Sequence, residues 1–210
     1  MKRLYIPLIL ELALIIVTTI WEKQSFYFCF AFYLGLIVYF YYIKKQFPLG
    51  ELRSNFGDVK NFWIPVVITV AAMLLAYEVQ QKISIQWFTE YYESIVHTPT
   101  KNEIVPLLFL CLMDMIMRPV AEGIFYRKAI ISFDNKKKMA ILTIVSLILC
   151  SITRAHGLVG IVTIIILALP VTIAYLVTKN IYVSIMAQIF FELYNTGFTT
   201  VYDFARIYLR

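Results

Sequence analysis

Long apolar runs broken by short polar, lysine-bearing stretches recur along the sequence, near residues 4–21, 26–43, 62–79, 104–133, 139–157, 159–178 and 181–201. A helix needs about 20 mostly apolar residues to cross the hydrocarbon core of a bilayer. The pattern therefore predicts an all-α fold, a polytopic integral membrane bundle of about seven transmembrane helices. The run 104–133 is too long for one upright crossing and predicts a helix that is tilted, kinked or extended beyond the bilayer. Residues 80–103, QQKISIQWFTEYYESIVHTPTKNE, mix aromatic, charged and apolar positions and predict a segment lying along the membrane interface. No internal repeat or low-complexity linker interrupts the chain, so a single membrane domain is expected.

Composition agrees with this pattern. The chain is 61% hydrophobic and 15% charged, with a mean hydropathy of +0.77, whereas soluble domains are about 45–50% apolar and about 25% charged. The net charge of +6 lies in the breaks between apolar runs, where basic residues set topology and meet anionic headgroups. The lipid bilayer is thus the expected partner, and no nucleic acid is expected. With the N-terminus cytoplasmic, the inner set is Lys2, Arg3, Lys44, Lys45, Arg53, Lys60, Arg127, Lys128, Lys136, Lys137, Lys138 and Lys179. The outer set is Lys23, Lys82, Lys101, Arg118, Arg154, Arg206 and Arg210, so the bias of twelve to seven favours a cytoplasmic N-terminus. The first run, MKRLYIPLILELALIIVTTIW, is read as a span and not as a cleaved signal peptide, because it is long and no small-residue cleavage site follows. Cys29, Cys111 and Cys150 all lie in apolar runs, form no ligand spacing, and are read as small core residues. No prenylation box is present. The Lys/Ile/Phe/Tyr-rich composition points to a low-GC bacterium and hence to its plasma membrane.

Charges inside apolar runs change the picture, because an ionisable group near the bilayer centre costs at least about 2.5–3.5 kcal/mol and is a functional candidate by default. Asp114, Arg118 and Glu122 are spaced i, i+4, i+8 and form a ladder on one helix face. They either neutralise one another to lock helix packing or build a polar site. Pro119 frees the carbonyl of Met115 and predicts a kink beside Glu122. A second polar island, SITRAHG at 151–157, holds His156, which is either an interhelical hydrogen-bonding residue or part of a site. A third, AQIFFELYN at 187–195, puts Gln188, Glu192 and Asn195 on one face, as packing glue or as site residues. Counted from a turn at Asn135, Glu122 is about 20 Å and His156 about 26 Å into the membrane, which are compatible depths. Gln188 is only about 10 Å from a boundary at Ile181, so a meeting with Glu122 demands a tilted or deeply starting last helix.

The order P-x-x-E, an Arg five residues after that Glu, a span ending in an intramembrane His, and then NIYVSIMAQ resembles the CPBP family. This is the CAAX-protease and bacteriocin-processing, or Abi, group of intramembrane proteins. The resemblance covers roughly residues 100–196 and divides the chain into N-terminal helices plus the interfacial segment, 1–99, and a family-like core, 100–210. The family motif EExxxR reads Glu122 to Arg127 here, with Gly123 in place of the second Glu. FxxxH reads Ile152 to His156, and HxxxN or HxxxD reads Gln188 to Glu192, with both polar residues changed.

The resemblance implies that Glu122 and His156 activate a water that attacks a peptide carbonyl within the membrane. It places Gln188 and Glu192 where the family stabilises the oxyanion, and makes Arg127 a structural anchor; Arg118 and Pro119, from the ladder and the kink, are expected to support the site. Gln188 can still donate through its amide, but Glu192 repels a developing negative charge when ionised, and one lost oxyanion donor costs about 10²–10³ in rate. There is no HExxH motif, and two separated histidines build no three-ligand zinc site, so no metal and no cofactor is expected. Two main readings stand together. One is an endopeptidase acting on a small membrane-associated peptide such as a bacteriocin or pheromone. The other is a catalytically impaired relative that binds a peptide or small membrane protein, as a bacteriocin self-immunity protein or scaffold. A carrier using the carboxylates as a relay is a third.

Overall fold

In the computed structural model, the structure describes residues 4–43, 45, 49–87, 103–155 and 157–208. These fold as an all-α bundle with no strand among the described residues. Helix α1 is Tyr5–Ile20, α2 Ser25–Val38 continued by a π-helical turn Tyr39–Ile43, and α3 the short Leu49–Phe56. A π turn Val59–Trp63 leads into α4, Ile64–Trp87. The stretch 104–129 is composite: α5 Ile104–Leu112, a π segment Met113–Met117, α6 Arg118–Glu122, and a second π segment Gly123–Ala129. Helices α7 Lys136–Arg154, α8 Leu158–Thr178 and α9 Ile181–Tyr208 complete the bundle.

Each expected span coincides with a helix, but not every one is a crossing by length and composition. Four are long and apolar enough: Ser25–Tyr42, Val59–Ile83, Ile104–Ala129 and Leu158–Thr178. The chain is therefore a multi-pass membrane protein. Helix α1, at 16 residues, is shorter than that standard, α7 opens on three lysines, and α9 carries Glu192 within it. Of the stretch expected along the interface, 80–87 instead continues α4 without a break; nothing in that sequence stops a helix before Trp87. Residues 88–102 lie outside the described residues.

Local chemistry sets the helix ends. The Asn135 carboxamide accepts from the Lys137 N–H at 2.9 Å and starts α7 at Lys136. Lys179 ends α8 in the left-handed conformation, φ 54°. Asn180 then opens α9 by accepting from the Tyr182 N–H at 3.0 Å while donating to Asn55 Oδ1 at 2.9 Å. This corner leaves the first turn of α9 inside the protein, with Ile181, Tyr182 and Val183 all buried.

Helix α4 packs on α8 and α9, α8 on α7, α1 on α2 and α7, and α9 lies along the whole composite stretch. The core runs through Leu36, Phe40, Phe62, Ile124, Phe125 and Val183, all 1% exposed or less. Large apolar side chains such as Ile9, Leu12, Val67, Leu75 and Ile173 face outward, as a surface solvated by lipid requires.

Candidate active site

The composite stretch 104–129 explains how residues five apart come to share one side. In a regular α-helix, Arg127 would be turned well away from Glu122, because side chains meet at i+3 and i+4. The π segment that begins at Gly123 widens the turn, and such turns recur at functional sites. Glu122 and Arg127 consequently both line the same internal space, between α4, α8 and α9.

That space is a cavity of about 20 Å³, room for about one water. Its polar lining is Glu122, Arg127, Arg154, Gln188 and Glu192, and its apolar wall includes Met73, Leu167, Val171 and Phe191. Gln188 joins the two halves of the first motif. Its Nε2 donates to Glu122 Oε2 at 2.9 Å, and its Oε1 accepts from Arg127 Nη1 at 3.1 Å. Arg127 Nε also donates to Thr172 Oγ1 at 3.4 Å. Glu122 is 1% exposed, and its Oε1 has no hydrogen-bond partner among the described residues.

The expected ladder is half present. Arg118 Nη1 meets Asp114 Oδ1 at 3.1 Å. The next rung differs: Arg118 Nη2 turns to Glu192 Oε1 at 2.7 Å, while Glu122 takes Gln188 and, at 3.9 Å, Arg154 Nη1. The reason is that α9 lies against this stretch and offers a carboxylate to the guanidinium. Glu192 Oε2 in turn accepts from Thr196 Oγ1 at 3.1 Å. The cluster thus holds Asp114, Glu122 and Glu192 against Arg118, Arg127 and Arg154, and the formal charges cancel. Buried ion pairs need this matching, because each charge left unpaired costs several kcal/mol. Among the described residues no group of three or more His, Cys, Asp or Glu could hold a metal.

The meeting of Gln188 and Glu122, which depth counting fitted poorly, follows from the buried start of α9. Pro119 opens α6 between the two π segments. His156 lies outside the described residues. Arg154 is a correction: counted from the sequence among the outer charges, it ends α7 with its side chain only 21% exposed and faces Glu122. A positive charge at the end of an apolar run, two residues before the His, was the signal. Thr172 gave none.

Glu11 was also unmarked, although it stands alone in an apolar run. It is 2% exposed, and its Oε1 accepts from Tyr126 Oη at 2.9 Å and Thr153 Oγ1 at 2.7 Å. Tyr126 and Thr153 directly precede Arg127 and Arg154. The Glu11 bonds therefore pin the two backbones that carry the cavity arginines.

With this geometry in view, comparison with known proteins adds one finding. Residues 104–194 match the family model described as type II CAAX prenyl endopeptidase Rce1-like. The match supports the CPBP family for this part of the chain. It spans α5 through most of α9, the elements that carry Glu122, Arg127, Arg154, Gln188 and Glu192. No curated protein and no solved structure matches the chain.

Proposed function

We propose that this protein is an intramembrane endopeptidase of the CPBP type, with Glu122 as general base and a small membrane-associated peptide, such as a bacteriocin or pheromone, as substrate. The observation that carries this reading is the unpartnered Glu122 oxygen beside a cavity of one-water size. A water held there has its proton acceptor in place. As its oxygen bonds to the scissile carbon, the carbonyl π pair moves onto the carbonyl oxygen and Glu122 takes the proton. Collapse breaks the C–N bond, and Glu122 returns the proton to the leaving amine. Gln188 and Arg127 hold the carboxylate in register through the two bonds described above, and His156 is assigned as Glu122's partner. The family match supports the peptidase class.

The second reading, a binding scaffold, draws on Gly123. A Cβ at that position would lie 2.6 Å from Ile185 Cγ1, so α9 fills the room in which the family's second Glu would sit. One experiment separates the two. Wild type, Glu122→Gln and His156→Ala are expressed at matched levels in the native host, and new N-termini of membrane and secreted peptides are sequenced. The expected result is a set of fragments made by wild type and by neither variant. Identical profiles in all three would overturn hydrolysis and leave the scaffold.

The protein is proposed to lie in a bacterial plasma membrane with a cytoplasmic N-terminus. With Arg118, Arg127 and Arg154 assigned to the cluster, the remaining inner set has eleven basic residues (Lys2, Arg3, Lys44, Lys45, Arg53, Lys60, Lys128, Lys136, Lys137, Lys138 and Lys179). The outer set keeps five, Lys23, Lys82, Lys101, Arg206 and Arg210, so the bias sharpens once buried charges are removed.

A further inference from the structure

We infer that Arg154 is the oxyanion donor of this site, replacing the two third-motif residues that the family uses for that task. The inference rests on the hydrolase reading above. A peptide hydrolase must place hydrogen-bond donors where the carbonyl oxygen becomes negative. The residues at the family positions are committed elsewhere. Glu192 is a carboxylate bound to Arg118 and Thr196, and it repels the developing charge. Gln188 spends one amide hydrogen on Glu122 and its carbonyl on Arg127, and it brings no charge.

Arg154 has what both lack. Arg154 lines the same cavity as Glu122, whose Oε1 has no hydrogen-bond partner among the described residues. It stands 3.9 Å from Glu122 Oε2, close enough for an ion pair but too far for a hydrogen bond. Its N–H groups therefore keep their donor capacity beside the carboxylate that activates the water. Charge-assisted bonds are roughly twice as strong as neutral ones, and they gain most where water is excluded. Of the other cluster cations, Arg118 is not part of the cavity lining and pairs with Asp114 and Glu192, and Arg127 donates to Gln188 at 3.1 Å and to Thr172 at 3.4 Å. As the tetrahedral centre forms, the guanidinium contacts the new oxyanion while Glu122 holds the proton; no proton leaves Arg154.

The test uses the full chain in proteoliposomes, with the peptide that the wild type cleaves in its host and a phosphonate analogue of that peptide, whose anionic tetrahedral group copies the oxyanion. Arg154→Gln is expected to lower kcat by about 10²–10³ with KM changed less than about threefold, and Arg154→Lys to recover part of kcat. The decisive comparison is made in the Glu122→Gln background, where the carboxylate that Arg154 faces at 3.9 Å is gone. There, adding Arg154→Gln should weaken phosphonate binding by at least about tenfold and leave binding of the uncleaved peptide unchanged. Equal phosphonate affinity with and without Arg154 overturns the inference while hydrolysis by Glu122 stands. If wild type and Glu122→Gln yield the same fragments, the hydrolase reading fails first and this inference falls with it.

Discussion

At position 123 one missing Cβ decides how closely α9 can approach the carboxylate. A methyl group there would lie 2.6 Å from Ile185 Cγ1 and 3.1 Å from its Cδ1. A β-branched side chain on a helix has little rotamer freedom with which to retreat. Gly123→Ala should therefore destabilise the protein by about 1–3 kcal/mol through overpacking, read as a lower unfolding midpoint in detergent. Gly123→Glu, which restores the family motif, should do worse by burying an unpaired charge. An unchanged midpoint for Gly123→Ala would show that Ile185 moves aside freely. Glu122 was legible in the sequence because a carboxylate in an apolar run has few bland explanations. Glu11, in the middle of the first run, satisfied the same criterion; Arg154 lies at the end of its run, where a charge reads equally well as a loop charge. Only tertiary packing separates the two.

Among elements, the composite stretch 104–129 and α9 act as one unit, tied by Arg118. Its two terminal nitrogens reach carboxylates on different elements, Asp114 at 3.1 Å and Glu192 at 2.7 Å. Its Nε is buried without a hydrogen-bond partner among the described residues. Arg118→Met removes the cation and leaves two carboxylates facing each other, so it should destabilise by about 3–5 kcal/mol. Arg118→Lys, which keeps charge but not the fork, should lie between. Thermal unfolding in detergent gives the ranking; equal midpoints for Met and wild type would show that the pairs contribute nothing. The helices themselves were legible from apolar periodicity and length. The π segments were not: the sequence showed a run too long for one span and a proline, whereas widened turns depend on what α2 and α9 press against them. Depth counting fitted the Gln188–Glu122 contact poorly for the same reason, since it depends on α9 starting inside the protein.

For the molecule as a whole, the buried cluster and the topology make each other testable. The proposed cytoplasmic N-terminus rests on loop charges with Arg118, Arg127 and Arg154 taken out of the count, and their place in the cluster is the reason to do so. Between Lys23 and Lys137 lie three helices that qualify as crossings, Ser25–Tyr42, Val59–Ile83 and Ile104–Ala129. An odd number of crossings puts the two lysines on opposite sides. Both are exposed, so single cysteines there should react in a background in which Cys29, Cys111 and Cys150 are replaced by alanine. Lys23→Cys should react with a membrane-impermeant maleimide in intact cells, and Lys137→Cys only after permeabilisation. The opposite labelling would put Lys23 on the cytoplasmic side, which means either that the protein is inverted or that the 16-residue α1 does not cross. Labelling of both from one side would mean that one of the three helices does not cross. The exposed apolar face of that helix would then need a partner other than lipid.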